Sequence, residues 1–144
     1  MHVRDVLHRK GSTVVTVPPT TTVESLLQTL ADHNVGAVVV STDGSTVEGL
    51  VSERDVVRGL AVSGPALLHQ QISTIMSTEL RTAVPEDTID RVMLEMTEHR
   101  VRHLPVLVDG ALTGIVSIGD AVKIRIDELE SERAQLIGYI SSAG

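Results

Sequence analysis

The sequence predicts an α+β fold, in which two β-α-β-β-α repeats pack with pseudo-twofold symmetry and a C-terminal helix follows. Three observations carry that prediction: the chain repeats itself, both copies switch hydrophobic period in the same order, and the last twenty or so residues read as one helix. A shift of 66 residues lays Pro19-Thr20-Thr21-Thr22-Val23 on Pro85-Glu86-Asp87-Thr88-Ile89, and Asp32-His33-Asn34-Val35 on Glu98-His99-Arg100-Val101. A shift of 65 lays Gly49-Leu50-Val51-Ser52-Glu53-Arg54-Asp55 on Gly114-Ile115-Val116-Ser117-Ile118-Gly119-Asp120. Three blocks matched in order, with one short indel, mark a duplicated unit.

Within each copy a short β-prone stretch comes first, Thr13 to Val17 and Leu80 to Val84, and ends at a proline. A helix follows from Thr22 or Thr88, with Val23, Leu26, Leu27 and Leu30 in one copy and Ile89, Val92, Met93 and Met96 in the other at helical spacing. Two apolar strands come next. Ala37 to Val40 and Gly49 to Val51 flank Asp43-Gly44, and Leu104 to Val108 and Gly114 to Val116 flank Asp109-Gly110. Asp-Gly pairs favour tight hairpin turns because both residues tolerate positive φ. A second helix starts after Ser52 and after Ser117. Ser63-Gly64-Pro65 marks a break, and Ala66 to Met76 is expected to be a connecting helix. The boundaries are therefore 1–62 for the first repeat, 63–72 for the linker, 73–125 for the second repeat and 121–141 for the C-terminal helix. Three short strands and two helices are too little to stand alone, so the two copies are expected to share one core and to leave two equivalent clefts between them.

Composition narrows the function. Of 144 residues, 42% are hydrophobic and 22% charged, which suits a globular domain. Tyr139 is the only aromatic residue, so there is no stacking surface for single-stranded nucleic acid. A net charge of −7 argues against nucleic-acid and anionic-membrane surfaces, while leaving room for a small anionic ligand where basic residues concentrate. The absence of cysteine rules out disulfides, thiolate catalysis and cysteine-held metals. No apolar run is long enough to span a bilayer and no signal-peptide pattern opens the chain, so the expected location is cytoplasmic. There is no Gly-x-Ser-x-Gly elbow and no Walker-type glycine loop, and no catalytic residues are assigned. His99 and His103 stand four apart, but the helix is expected to end near Arg100, which separates them; no metal site is assigned and no cofactor is required.

The duplicated Gly-h-h-Ser-x-x-Asp (h apolar) lies at a strand-to-helix junction, and two readings of it stand side by side. In one, Ser52 with Asp55 and Ser117 with Asp120 are capping boxes: the serine accepts from the amide three residues on, and the acid accepts from the serine's own amide. In the other, the same helix N-terminus presents free N–H groups and a partial positive charge to a phosphate, the serine adds a donor, and the aspartate accepts from the vicinal hydroxyls of a ribose.

The repeat, the strand-turn-strand before each motif, and the helix ending in His-x-Val before the middle strand together resemble a tandem pair of CBS domains (a Bateman module) over Val3 to Lys123. That resemblance implies a non-catalytic regulatory module that binds an adenosine-containing ligand (AMP, ADP, ATP, NAD or S-adenosylmethionine) and signals occupancy to a partner, commonly as a homodimer. It implies that Asp55 and Asp120 hold ribose hydroxyls and that Ser52 and Ser117 contact phosphate or sugar. Val17 with Val35, and Ala83 with Val101, would line adenine pockets. Leu104-Pro105-Val106 matches the family's apolar-Pro-apolar step, whereas the first copy has Val38-Val39-Val40. Arg54 stands beside the first aspartate where the second copy has Gly119, and Arg100, Arg102 and His103 can supply positive charge to either cleft.

The tail carries Val122, Ile126, Leu129, Leu136 and Ile140 at spacings of 4, 3, 7 and 4, a short coiled-coil-like stripe broken at Arg133. Lys123 with Asp127, and Glu130 with Arg133, would decorate its other face. The stripe packs on its own lobe or on a second subunit. The alternative to a ligand sensor is therefore a ligand-free dimeric scaffold whose Ser-x-x-Asp motifs are only helix caps.

Overall fold

The computed structural model describes residues 1–11 and 13–143. In chain order, α1 (Val3–Lys10) precedes β1 (Thr16–Val17), α2 (Val23–His33), β2 (Ala37–Val40), β3 (Gly49–Ser52) and α3 (Glu53–Ser63), then α4 (Ile89–His99), β4 (His103–Val108), β5 (Ala111–Ser117) and α5 (Ile118–Ala143). The first sheet runs β1-β2-β3, with β1 parallel and β3 antiparallel to β2. β4 and β5 form the matching hairpin, and a single parallel bridge, Ala83 to Val106, stands where β1 would be. Both helices after the first strand start on the expected threonines: Thr22 Oγ1 accepts from Ser25 N–H, and Thr88 Oγ1 accepts from Arg91 N–H.

The expected strand Leu80 to Val84 is thus reduced to the bridge at Ala83, and the linker and the core also differ from expectation. The linker from Ala66 to Met76 is not an α-helix: it holds two 3₁₀ turns, Gly64–His69 and Ile72–Thr74, separated by an extended Gln70. The extension lets Gln71 bridge to Thr22 and sinks Ile72 into the first lobe. Nor do the copies share one core. The buried side chains form two clusters, one under each sheet, which include Val23, Leu26 and Val51 in the first and Ile89, Val92 and Val116 in the second.

Each cluster is closed by a segment that precedes the other repeat's strands. α1, a helix that precedes both repeats' strands, buries Val3 and Val6 in the second cluster. The linker buries Ile72 in the first. The hydrogen bonds match: Val3 N–H donates to Asp87 O at 2.9 Å and Ile89 N–H to Met1 O at 3.1 Å, while Ile72 N–H donates to Thr21 O at 2.8 Å and Val23 N–H to Gln70 O at 2.9 Å. This crossed packing explains the motif glycines. A Cβ on Gly49 would stand 2.8 Å from Met76 Sδ, and one on Gly114 would stand 2.5 Å from a δ-methyl of Leu7. Glycine is the residue that lets the crossing segment lie on the strand.

α5 continues from the second repeat's motif through the whole tail. Ala121 and Ile124 are buried, but every described side chain from Leu129 onward is exposed, including Leu136, Ile137 and Ile140. The expected Lys123–Asp127 and Glu130–Arg133 pairs do not form among the described residues; Asp127 instead binds Arg9 of α1 at 2.8 Å. The stripe of Val122, Ile126, Leu129, Leu136 and Ile140 is exposed throughout, and the helix is anchored on its lobe by Ala121 and Ile124 instead. No helix is long and apolar enough to cross a membrane among the described residues.

Candidate functional site

The β3–α3 junction opens onto a cavity of about 170 Å³ between the repeats. Ser52 caps α3: its Oγ accepts from Asp55 N–H at 3.4 Å, and Asp55 Oδ2 accepts from Ser52 N–H at 2.8 Å and from Ser52 Oγ–H at 3.1 Å. Both readings of the motif are thus compatible in one geometry. The cap uses a single carboxylate oxygen, and Oδ1 has no partner among the described residues. Glu53, Arg54 and Arg58 project from the first turns of α3, and Val101, Arg102 and His103 approach from the second repeat. Gly36 and Ser77 complete the wall.

The electrostatics favour an anion. Arg54, Arg58, Arg100 and Arg102 all line this cavity, a third of the chain's 12 Lys and Arg residues. Against them stand Glu53 and Asp55, so the named ionic groups sum to +2, four minus two, in a chain of −7. His103 lies between the two motifs. Burial, then the Lys10 charge, holds its imidazole below its ordinary value against the opposing pull of Asp120 and Glu53.

The second junction differs. Ser117 N–H donates to Asp120 Oδ2 at 2.9 Å and Ser117 Oγ accepts from Asp120 N–H at 3.1 Å, the same cap. Yet Asp120 Oδ2 also accepts from Lys10 Nζ at 2.7 Å. Burial pushes the Asp120 carboxyl up, but the hydrogen bonds from Lys10 and Ser117 and the Lys10 charge outweigh it and hold the group below the usual carboxylate range. One carboxylate therefore faces open space and the other already has a cation.

Of the residues singled out from sequence, Ser52, Arg54, Asp55, Val101, Arg102 and His103 meet at the first cavity. Val17 and Ala83 lie in the two cores, and Val35 faces a neighbouring hollow with Asn34 and Glu53. Pro105 sits in β4 opposite Ile115, its carbonyl accepting from Ala83 N–H. Ser117 and Asp120 belong to the second junction. Arg58 and Lys10 were not anticipated. Arg58 stands one turn from Arg54 and was visible as an i,i+4 pair; no local signal ties Lys10 to a residue 110 positions away. His99 ends α4 and sits 3.6 Å from Glu95, while His103 starts β4, so the two do not converge.

The CBS domain sequence profile matches residues 3–62 and 72–127, two copies over most of the chain. The chain belongs to the CBS domain family. A crystal structure of a CBS-domain containing protein from Agrobacterium tumefaciens superposes with a TM-score of 0.84 at 44% identity, covering 87% of this chain and 99% of that one. A mitochondrial CBS domain-containing protein of Arabidopsis thaliana is 37% identical over 123 residues, 83% of this chain; the match spans only 60% of that relative's length. A CBS domain protein from Pyrobaculum aerophilum, crystallised in complex with AMP, superposes with a TM-score of 0.73 at 27% identity over 83% of this chain and 89% of that one. The two repeats seen in sequence are thus two CBS domains, and the fold is that of a CBS-domain pair with a C-terminal helix.

Proposed function

We propose that this CBS pair is a non-catalytic regulatory module that takes an adenosine-containing ligand in the first cleft and reports its presence to a partner protein. The observation that carries the reading is the cavity at the α3 N-terminus, where a helix end, a serine hydroxyl, a carboxylate with one free oxygen and four arginines converge between the repeats. Ribose hydroxyls donate to Asp55, and the phosphate lies against the α3 N–H groups, Ser52 and Arg54. The AMP complex of the Pyrobaculum relative supports the ligand class. The contrast with Asp120, neutralised by Lys10, supports the choice of cleft. A nucleotide bound between the repeats shifts their relative placement, and this movement is the signal.

We place the module in the cytoplasm as a homodimer. The exposed stripe of α5 specifically favours a second role, or a wholly ligand-free one, as a dimerisation scaffold. Calorimetric titration with AMP separates the readings. Charge-assisted hydrogen bonds contribute about 1.5–3 kcal/mol, so Asp55→Ala weakens AMP binding about tenfold or more, while Asp120→Ala leaves it within about threefold. Loss in Asp120→Ala alone reverses the cleft assignment. No AMP, NAD or S-adenosylmethionine binding to the unmodified chain leaves the scaffold reading standing.

A further inference from the structure

We infer that the first cleft selects ligands with two or more linked phosphate groups, and that Arg100, delivered from the second repeat, is the residue that sets this preference. The inference rests on the ligand reading above and narrows it to nucleoside di- and triphosphates over monophosphates and over a cationic sulfonium.

Three observations converge. First, Arg54, Arg58, Arg100 and Arg102 converge on one cavity and form no ion pair among the described residues, even though Glu53 and Asp55 line it too; Arg4 and Arg133, also unpaired, stand apart from it. Four guanidiniums against the two carboxylates of Glu53 and Asp55 leave an excess of positive charge in the cavity, which an anion between them balances. Second, the arginines form a strip and not a point. Arg54 and Arg58 are one turn apart on α3, with Cβ atoms about 5–6 Å apart at such spacing. Arg54, Arg100 and Arg102 also line an adjoining cavity of about 510 Å³ that reaches Met96 and Ile118. On this reading a single phosphate cannot engage all four guanidiniums at once, and a second and third phosphate would use those it leaves free.

Third, Arg100 is in an unfavourable backbone conformation. It is the C-cap of α4 with φ 52° and ψ 41°, left-handed, where the equivalent residue of the first repeat is Asn34 with φ 51° and ψ 49°. Asparagine is enriched several-fold at such positions and arginine is not. The helix end alone is better served by asparagine, so the arginine side chain has another use, and its place on both cavities shows where.

The experiment is calorimetric titration of the full chain, in chelator-containing buffer at low salt, with AMP, ADP, ATP and S-adenosylmethionine. Affinity rises about tenfold or more from AMP to ATP, S-adenosylmethionine binds more weakly than AMP, and the ATP advantage shrinks as salt rises. Arg100→Asn places the first repeat's own residue in the left-handed position, so the fold is retained, which a thermal melt confirms. It lowers ATP affinity about tenfold and AMP affinity by much less, collapsing the ratio. Equal affinities for AMP and ATP overturn the inference, as does an Arg100→Asn variant that loses both alike. If no adenosine ligand binds, the nucleotide reading fails on its own, and inorganic tripolyphosphate decides the strip. Binding lost in Arg100→Asn upholds it; no binding overturns it.

Discussion

Gly49→Ala and Gly114→Ala test the crossed packing that holds the two CBS repeats together, because the same substitution meets different atoms at equivalent positions. Neither glycine has positive φ among the described residues, so strain is not at issue. Absent a clash, Gly→Ala at a compatible backbone position stabilises by about 0.4–1 kcal/mol through the unfolded chain. At Gly49 the new Cβ lands 2.8 Å from Met76 Sδ and 2.9 Å from the Ser77 carbonyl oxygen. The sulfur can swing away, but the carbonyl cannot: it accepts from Leu50 N–H at 3.0 Å, and Ser77 N–H donates back to Leu50 O at 2.9 Å. Relief breaks a reciprocal pair of backbone hydrogen bonds. At Gly114 the clash, 2.5 Å, is closer, yet all three near atoms belong to the end of the Leu7 side chain, which can turn. Overpacking of the first kind costs about 1–3 kcal/mol, and for a chain of this size each kcal/mol moves the midpoint by roughly 3–5 °C. Gly49→Ala therefore lowers the melting midpoint by roughly 3–15 °C, and Gly114→Ala by less. Because Leu50 and Ser77 line the first cavity, Gly49→Ala also weakens ligand binding. Scanning calorimetry is the assay, since the chain has no Trp. A Gly114→Ala variant at least as damaged as Gly49→Ala would refute the reasoning.

Two further outcomes follow from the charges and the tail. His103, held below its ordinary value in the fold, stays neutral where the unfolded chain takes up a proton, so stability falls as pH drops below about 6.5. The groups facing it are Lys10 on α1, Arg102 before β4, Asp120 on α5 and Glu53 on α3. Asp120, held below its usual range, adds stability that is present above about 4 and lost as pH falls through its folded value; Lys10→Met raises that value and diminishes this second decline. Melting midpoints between pH 3 and 8 for both proteins check the sign, and a midpoint that rises on acidification contradicts it. Removing residues after Glu130 deletes, among the described side chains, only exposed ones and keeps Ala121 and Ile124 in the core. If the proposed homodimer forms through this helix, the truncated chain keeps its fold and scatters light as a monomer; a truncated chain that is dimeric places the contact elsewhere.

Much of the fold was legible because duplication turns weak local signals into paired ones. Thr22 and Thr88 cap their helices, the Asp109-Gly110 turn has φ of 51° and 79°, and both Ser-x-x-Asp boxes close as their spacing requires. The linker departs from the expected helix because Gln71 bridges to Thr22, a contact 49 positions away that requires an extended step. α1 carries Val3, Val6 and Leu7 at helical spacing, but eight residues with four charged side chains and a histidine are too few to hold a helix alone. Its burial comes from the second repeat's sheet.

The sequence by itself determined what depends on neighbours in the chain: the repeat, the period of each element, the caps, the acidic balance and the membership of Ser52, Asp55, Ser117 and Asp120 in paired motifs. Tertiary structure decided what depends on residues far apart. It crossed α1 onto the second repeat, so Lys10 reached Asp120 from a distance of 110 positions. It brought Arg100 and Arg102 to face Arg54 and Arg58, so one of two near-identical motifs opened onto a basic cavity. Electrostatic energy falls with distance in space and is blind to distance along the chain, and for that reason the asymmetry between the clefts is absent from the repeats when they are read one at a time.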